Sequence, residues 1–161
     1  MLWWVVHVMV TLDQAVANLP TESRACIKAL HDYAIQAGFA PFGTQSSKKS
    51  DYYKIEYKKS KKDDPIFIFT AKGERWDIKC KFFHLDKYAD LLHKLSERAL
   101  NDILESRECR GPEKGCVVGV QFAINGKMYN LCRHGIYFRK LVSADVADVC
   151  RLIDAEIAER L

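Results

Sequence analysis

The sequence predicts an α+β fold in which amphipathic helices pack on one face of an antiparallel sheet. Apolar residues alternate with period two in two groups of strands, recur at helical spacing in the segments between them, and are interrupted by glycine-containing turns. The predicted order is β-α-βββ-α-βββ-α, which gives a sheet built from two three-stranded meanders. A length of 161 residues, 48% of them hydrophobic and 29% charged, is typical of a single domain over residues 1–161.

The first twenty residues are predicted to add an N-terminal strand and a short helix to this core. Met1 to Val10 is apolar but only about half as long as the roughly 20 residues that span a membrane, and no Lys or Arg precedes Arg24. Three interpretations stay open: a native strand, an interface that pairs two copies into a homodimer, and residues added by a misplaced start. We expect a cytoplasmic protein without a membrane partner, whose six cysteines are reduced.

The first helical segments carry recognisable end signals. Thr11 and Gln14 have the spacing of a capping box for the short helix. Thr21 is the expected N-cap of a second helix, and Gly38 follows its apolar stripe at the position where a left-handed C-cap is needed. Residues 40–51 are rich in Pro, Gly and Ser and are interpreted as a loop.

The first group of strands begins where tyrosines and lysines alternate around Ile55 and continues through PIFIFTA and RWDIKCKF. Lys72-Gly73 is interpreted as the two-residue turn of a hairpin. That turn places Phe69 opposite Trp76 and aligns the apolar faces of both strands.

The second group follows a long helix that Asp86 caps and that is predicted to extend to Glu105. Asn125-Gly126 is the strongest hairpin signal in the chain, because a type I′ turn needs a positive φ at both central residues. Its register places Phe122 opposite Tyr129.

The segment LVSADVADVCRLI combines the end of a strand with an amphipathic helix that Ser143 is expected to cap. Together with the order of elements, this ending resembles the YdhG-like domains, small bacterial α+β proteins without assigned activity, and the repeated helix-and-hairpin units of GyrI-like effector-binding domains. The resemblance covers about two thirds of the chain in outline. It implies the fold class and carries no functional residues.

Aromatic residues on the apolar faces of the two hairpins predict the favoured function, a non-catalytic binding or regulatory module. A groove between the two halves of the sheet is a suitable place for a small apolar or cationic ligand. The expected ligand-binding residues are Trp76, Phe69, Phe122 and Tyr129. The alternative is that these rings fill an ordinary core. The sequence has no nucleotide-binding, nucleophile-elbow or zinc-protease motif, so catalysis is not favoured and no cofactor is predicted.

The excess positive charge is concentrated in one segment, Lys48 to Lys62. This segment holds seven lysines against two acidic residues, a net charge of +5 in a chain of +4. Lysines interleaved with tyrosines predict an alternative function, nucleic-acid binding in which lysines contact phosphates and rings stack on bases. The lysines expected to contact nucleic acid are Lys58, Lys59, Lys61 and Lys62. The other interpretation is a lysine-rich edge strand that prevents aggregation.

A further alternative is a zinc- or thiol-dependent site. Its four candidate residues are Cys109, Cys116, Cys132 and His134. Their spacing matches no strong zinc motif, and the hairpin register places Cys116 and Cys132 on opposite faces of the sheet, so no metal is predicted. Cys109, which lies between two nearby arginines, is expected on the surface, whereas the three cysteines on apolar stripes are expected in the core.

Overall fold

The structure is a computed structural model that describes residues 8–45, 51–111 and 119–161. Parts of three predictions lie outside the described residues: those for Met1 to His7, for Lys48 and Lys49, and for Cys116.

The chain divides into two compact units, residues 1–78 and residues 79–161. Each unit contains both helices and strands, and the strands of the sheets are antiparallel where their pairing is defined, which confirms the predicted α+β class. One strand supplies residues to both units, because Ile78 belongs to the first and Cys80 to the second. Both of these side chains are fully buried.

The first unit combines two helices with a sheet whose strands follow one another in chain order. One face of the sheet is covered, since the first helix contacts the third strand and the second helix contacts the second strand. The elements are β1 (Val8–Met9), α1 (Leu12–Val16), α2 (Thr21–Gln36), β2 (Ala40–Gln45), β3 (Tyr52–Lys58), β4 (Phe67–Lys72) and β5 (Arg75–Cys80).

Both helices of this unit end as their sequences predict. The N–H of Gln14 donates to Thr11 Oγ1 at 3.4 Å and the N–H of Thr11 donates to Gln14 Oε1 at 2.9 Å, so the capping box is confirmed. Gly38 has a φ of 85°, and the N–H groups of Gly38 and Phe39 donate to carbonyls of the last turn of α2. Thr21 is the first residue of α2 and not its cap, because the preceding proline occupies that position.

Residues 40–45 form strand β2, which corrects their interpretation as part of a loop. β2 pairs with β3 along its whole length, whereas β1 pairs only with the last two residues of β2. Pro41, which lacks an N–H, therefore has a partner strand on one side only. Gly43 permits a close approach of the chain, because a Cβ at this position would overlap the carbonyl oxygen of Val10.

The additional strand changes the position of β3 in the sheet. β3 lies between β2 and β4, so the interpretation of the lysine segment as an edge strand is wrong. Ile55 and Tyr57 are buried on the face of β3 that the helices cover, and Lys54, Glu56 and Lys58 lie on the opposite face. The edge on this side of the sheet is the two-residue strand β1.

The turn between β4 and β5 lies one residue later than predicted. It consists of Gly73 and Glu74, since β4 ends before Gly73 and β5 begins after Glu74. Gly73 has a φ of 59°, which glycine adopts without steric cost. The displacement shifts each cross-strand partner by two positions, so Phe69 no longer faces Trp76, although the apolar faces still coincide.

The second unit contains the remaining helices and a two-stranded hairpin. Its elements are a 3₁₀ helix (Leu85–Lys94), α3 (Glu97–Leu104), β6 (Val120–Ile124), β7 (Lys127–Leu131), β8 (Ile136–Phe138), a 3₁₀ turn (Ser143–Asp145) and α4 (Val146–Glu159).

The β6–β7 hairpin forms as predicted. Asn125 and Gly126 have φ values of 51° and 77°, and Phe122 is the partner of Tyr129. The third strand of this group does not extend the hairpin, because β6 and β7 form a sheet of their own. β8 instead neighbours the end of β5, where Lys79 lies over the Tyr137 ring.

The segment predicted as one helix over residues 86–105 is a 3₁₀ helix with a kink at Tyr88, followed by α3. His84, and not Asp86, occupies the N-cap position. Leu95 has an extended backbone, and Ser96 begins a new helix by accepting the N–H of Ala99 on its side-chain oxygen at 3.1 Å. The same hydroxyl donates to Asp145 Oδ1 at 2.6 Å, so this helix start is also hydrogen-bonded to the segment before α4. The helix is interrupted at this point because Ser96 lies within the apolar stripe and caps the start of α3.

The last helix begins later than predicted, and its buried face holds an acidic residue. Ser143 starts the 3₁₀ turn, and α4 follows from Val146. Val149 and Ile153 are buried as expected, but so is Glu156, whose side chain is completely inaccessible to solvent.

Candidate functional site

A cavity in the first unit lies beside α2, and we call it the α2 pocket. It has a volume of about 490 Å³, within the range of small-molecule sites. Its apolar walls come from the end of β1, the start of α1 and the chain between them, and from the neighbouring strands. They consist of Met9, Val10, Leu12, Pro41 and Ile55.

Four charged or titratable side chains line the same pocket. Lys28 Nζ lies 3.0 Å from Asp13 Oδ1, so these two charges neutralise each other. Asp32 lies four residues after Lys28 on α2, and the described residues give its carboxylate no ion pair and no hydrogen bond. The pocket therefore combines an apolar interior with one uncompensated negative charge.

His31, the fourth of these groups, is held by a buried tyrosine. His31 Nδ1 and the Tyr57 hydroxyl are 2.9 Å apart, and the two rings meet edge to face. Tyr57 also stacks on Phe67 at a centroid distance of 4.4 Å. Burial and, to a smaller extent, the Asp32 carboxylate raise the pKa of the Tyr57 phenol, which therefore stays protonated. The imidazole is thus fixed in one orientation at the wall of the α2 pocket.

A second polar cluster lies in the second unit around Glu156, and we call it the Glu156 network. Tyr88 donates to Glu156 Oε2 at 2.6 Å and the backbone N–H of His84 donates to the same oxygen at 3.1 Å. Arg160 Nε donates to Oε1 at 2.9 Å, and His84 Nδ1 lies 3.2 Å from it. Burial by itself raises the pKa of Glu156, but the hydrogen bonds from Tyr88, Arg160 and the His84 backbone lower it by more, so the pKa lies below its ordinary value of 4.5.

The four aromatic residues predicted to bind a ligand are divided between the units. Phe69 is completely buried in the first unit, where its cross-strand partner is Ile55, and Trp76 is half-buried on β5. In the second unit Phe122 is buried and stacks on Tyr129 with the ring centroids 5.8 Å apart. Tyr129 lines a cavity of about 240 Å³ and lies under Lys127 Nζ, 5.0 Å from its centroid. A ligand site formed by these rings remains a prediction.

The predicted nucleic-acid-binding lysines have different surroundings. Lys58 Nζ lies 2.9 Å from Glu56 Oε2 and 5.2 Å from the centre of the Phe42 ring, so it is already partnered. Lys59, Lys61 and Lys62 are exposed in the turn after β3. Two aspartates follow directly in the sequence and reduce the local excess of positive charge. Nucleic-acid binding remains a prediction.

The candidate metal-binding residues are incompletely described, because Cys116 lies outside the described residues. Cys109 is buried and its N–H donates to the carbonyl of Asn130, so the expectation of a surface cysteine is wrong. His134 is exposed and Cys132 is half-buried. Nowhere in the described ranges do three Cys, His, Asp or Glu side chains converge as a metal site requires.

Sequence reasoning did not identify Asp32 or Glu156 as residues of interest. His31 follows Ile27 by four residues, so helical spacing places the His31–Asp32 pair beside the apolar stripe of α2. Glu156 follows Val149 by seven residues and therefore falls on the buried stripe of α4. The sequence signal that could have identified both residues is an acidic side chain on or directly beside the apolar stripe of a helix.

No family model, curated protein or solved structure matches the chain. The resemblance to YdhG-like and GyrI-like domains therefore remains a prediction, and the function is inferred from the residues of this chain alone. None of the helices in residues 8–45, 51–111 and 119–161 combines the length and the apolar character that a membrane crossing requires.

Proposed function

We propose that the protein is a non-catalytic module that binds a small amphipathic cation, such as an alkylammonium compound, in the α2 pocket. The observation that carries this proposal is the pairing of an apolar cavity of about 490 Å³ with the unpaired carboxylate of Asp32. The ligand class agrees with the apolar or cationic ligand expected from the sequence, although the pocket involves other residues.

Charge selects a cation over an anion at this position. The lysine of the pocket is already neutralised by Asp13, so an anionic ligand would have to break that ion pair and would also meet Asp32. A cation meets the Asp32 carboxylate without breaking an existing contact. Exposed ion pairs are weak, so the apolar walls must contribute most of the binding free energy.

The shape of the pocket depends on groups that are already fixed. The Thr11–Gln14 capping box holds the start of α1, and the close approach of Val10 to Gly43 holds the chain before it. His31 is fixed by Tyr57. A preformed site of this kind loses little conformational entropy when a ligand enters.

We also propose a cytoplasmic location for this module. Among the described residues, no disulfide joins Cys26, Cys80, Cys109, Cys132 and Cys150. Proteins of oxidising compartments commonly pair such cysteines, whereas cytosolic proteins keep them reduced.

The test compares hexylammonium with its neutral counterpart hexanol in titrations of the isotope-labelled full chain. We expect hexylammonium to bind more tightly and to shift the amide resonances of residues 9–13, 28–32 and 42–43. Asp32→Asn should weaken hexylammonium binding about threefold, the size of an exposed ion pair, and leave hexanol binding unchanged.

The matched control is Asp63→Asn, which removes an exposed carboxylate in the turn after β3, away from the α2 pocket. This variant should bind both probes as the unaltered protein does. Equal binding of the two probes, resonance shifts outside the pocket, or an unchanged preference in Asp32→Asn would refute the proposal.

A further inference from the structure

Arg133 belongs to a cationic cluster in the second unit that the proposed ligand site does not use. Arg133 and His134 form the turn between β7 and β8, which the N–H of Gly135 closes by donating to the Cys132 carbonyl at 3.1 Å. The turn is next to Phe83. Both Arg133 and Phe83 are half-buried, and His134 is exposed, so solvent reaches the cluster.

Three groups surround the ring of Phe83. The guanidinium carbon of Arg133 lies 5.7 Å from the ring centroid and that of Arg160 lies 4.9 Å from it. The His134 ring meets Phe83 edge to face at 5.2 Å. A guanidinium held over an aromatic ring keeps its in-plane N–H groups available as donors.

The two arginines differ in their partners. Arg160 donates to Glu156 at 2.9 Å and to the Lys81 carbonyl at 2.5 Å, so its charge and two of its donors are already used. Arg133 has no ion pair and no hydrogen bond to the described residues, and its Nε is buried without an acceptor. A buried guanidinium N–H without an acceptor is costly and is rare in native structures.

We propose that Arg133, together with the cationic surface around Phe83, binds the phosphoryl group of a phosphorylated small molecule. The described residues give the guanidinium of Arg133 no acceptor, and its two terminal nitrogens, which lie beyond the buried Nε, suit bidentate contact with a phosphoryl oxyanion. Arg133 and Arg160 together exceed the single charge of Glu156, so the cluster attracts a dianion more strongly than a monoanionic carboxylate. This site is separate from the α2 pocket and does not depend on the function proposed for it.

The test is a calorimetric titration of the full chain with inorganic phosphate, and with acetate at the same ionic strength as the second arm. We expect saturable phosphate binding that Arg133→Gln weakens about tenfold or more, the loss typical of a charged hydrogen bond. Arg133→Lys keeps the charge but not the bidentate geometry and should retain only part of the affinity. Arg151→Gln is the matched control, since Arg151 is an exposed arginine of the same unit that pairs with Asp148 at 2.6 Å. It should bind phosphate normally.

A thermal readout distinguishes lost binding from a damaged fold. Phosphate should raise the Tm of the unaltered protein and of Arg151→Gln, but not that of Arg133→Gln. Without phosphate, Arg133→Gln should unfold at the Tm of the unaltered protein or above it, because it removes an unsatisfied buried donor. Acetate binding as tight as phosphate binding, no saturable phosphate binding, or equal binding by Arg133→Gln would overturn the proposal.

Discussion

Glu156 is the side chain on which the second unit depends most strongly. Its carboxylate accepts hydrogen bonds from three partners, and a fourth group, His84 Nδ1, lies 3.2 Å away. Glu156→Gln removes the charge that compensates Arg160, and we expect a loss of about 3 kcal/mol in the free energy of unfolding. Urea denaturation measures it. Glu159→Gln on the same helix, which breaks only the exposed pair with Lys87, should cost less than about 1 kcal/mol.

The same residue predicts how stability depends on acid. The pKa of Glu156 is lower in the folded protein than in the unfolded chain. Its contribution to the free energy of unfolding is therefore fully present above the ordinary pKa of 4.5 and is lost as the pH falls through the lower pKa of the folded protein. The urea midpoint of the unaltered protein should therefore decrease below about pH 4.5 more steeply than that of Glu156→Gln. Parallel decreases in both proteins would show that other carboxylates determine the loss of stability at low pH.

Single residues were predictable where local chemistry determines them. The φ values of Asn125 and Gly126 follow from the type I′ turn that their own sequence specifies. Glu156 is different, because its partners His84 and Tyr88 lie 72 and 68 residues earlier in the chain. Periodicity alone reports that a stripe position is buried and gives no sign of which distant donors will compensate a charge there.

At the scale of elements, Ser96 has two roles that a single substitution can test. It caps α3 and donates to Asp145, whose net pKa is lowered because hydrogen bonds from Ser96, the Val142 N–H and Arg98 outweigh the opposite effect of burial. Ser96→Ala should lower the free energy of unfolding by about 2 kcal/mol, the upper range for an N-cap. Ser143→Ala, at the exposed start of the 3₁₀ turn, is the comparison and should cost clearly less.

Elements were predictable when their signals are contiguous in the sequence. α1, α2 and the β6–β7 hairpin have caps or turns of their own, and all three form. β2 contains Pro41 and Gly43, which disfavour a strand locally, and it forms because β3 pairs along its whole length. That pairing is not visible in residues 40–45 themselves. The α2 pocket depends on β2 and was therefore also beyond local prediction.

At the scale of the whole molecule, the division of β5 predicts cooperative unfolding. Loss of β5 removes Ile78 from the core of the first unit and Cys80 from that of the second. Trp76 is half-buried in the first unit, so its fluorescence follows that unit, while alkylation of Cys150 on α4 follows the second. We expect the two probes to give the same urea midpoint. Separate midpoints would contradict the prediction of a single domain.

The Glu156 network also has a consequence for the protein during its synthesis. His84 is synthesised 72 residues before its partner Glu156. Lys81, whose carbonyl accepts a hydrogen bond from Arg160, is synthesised 79 residues before that arginine. At ribosomal rates these delays are on the order of 4 to 16 s, far longer than the time in which a helix forms. Throughout that interval Tyr88 and the apolar residues beside it have no α4 to pack against. The nascent second unit therefore exposes these apolar residues to solvent until α4 has been synthesised.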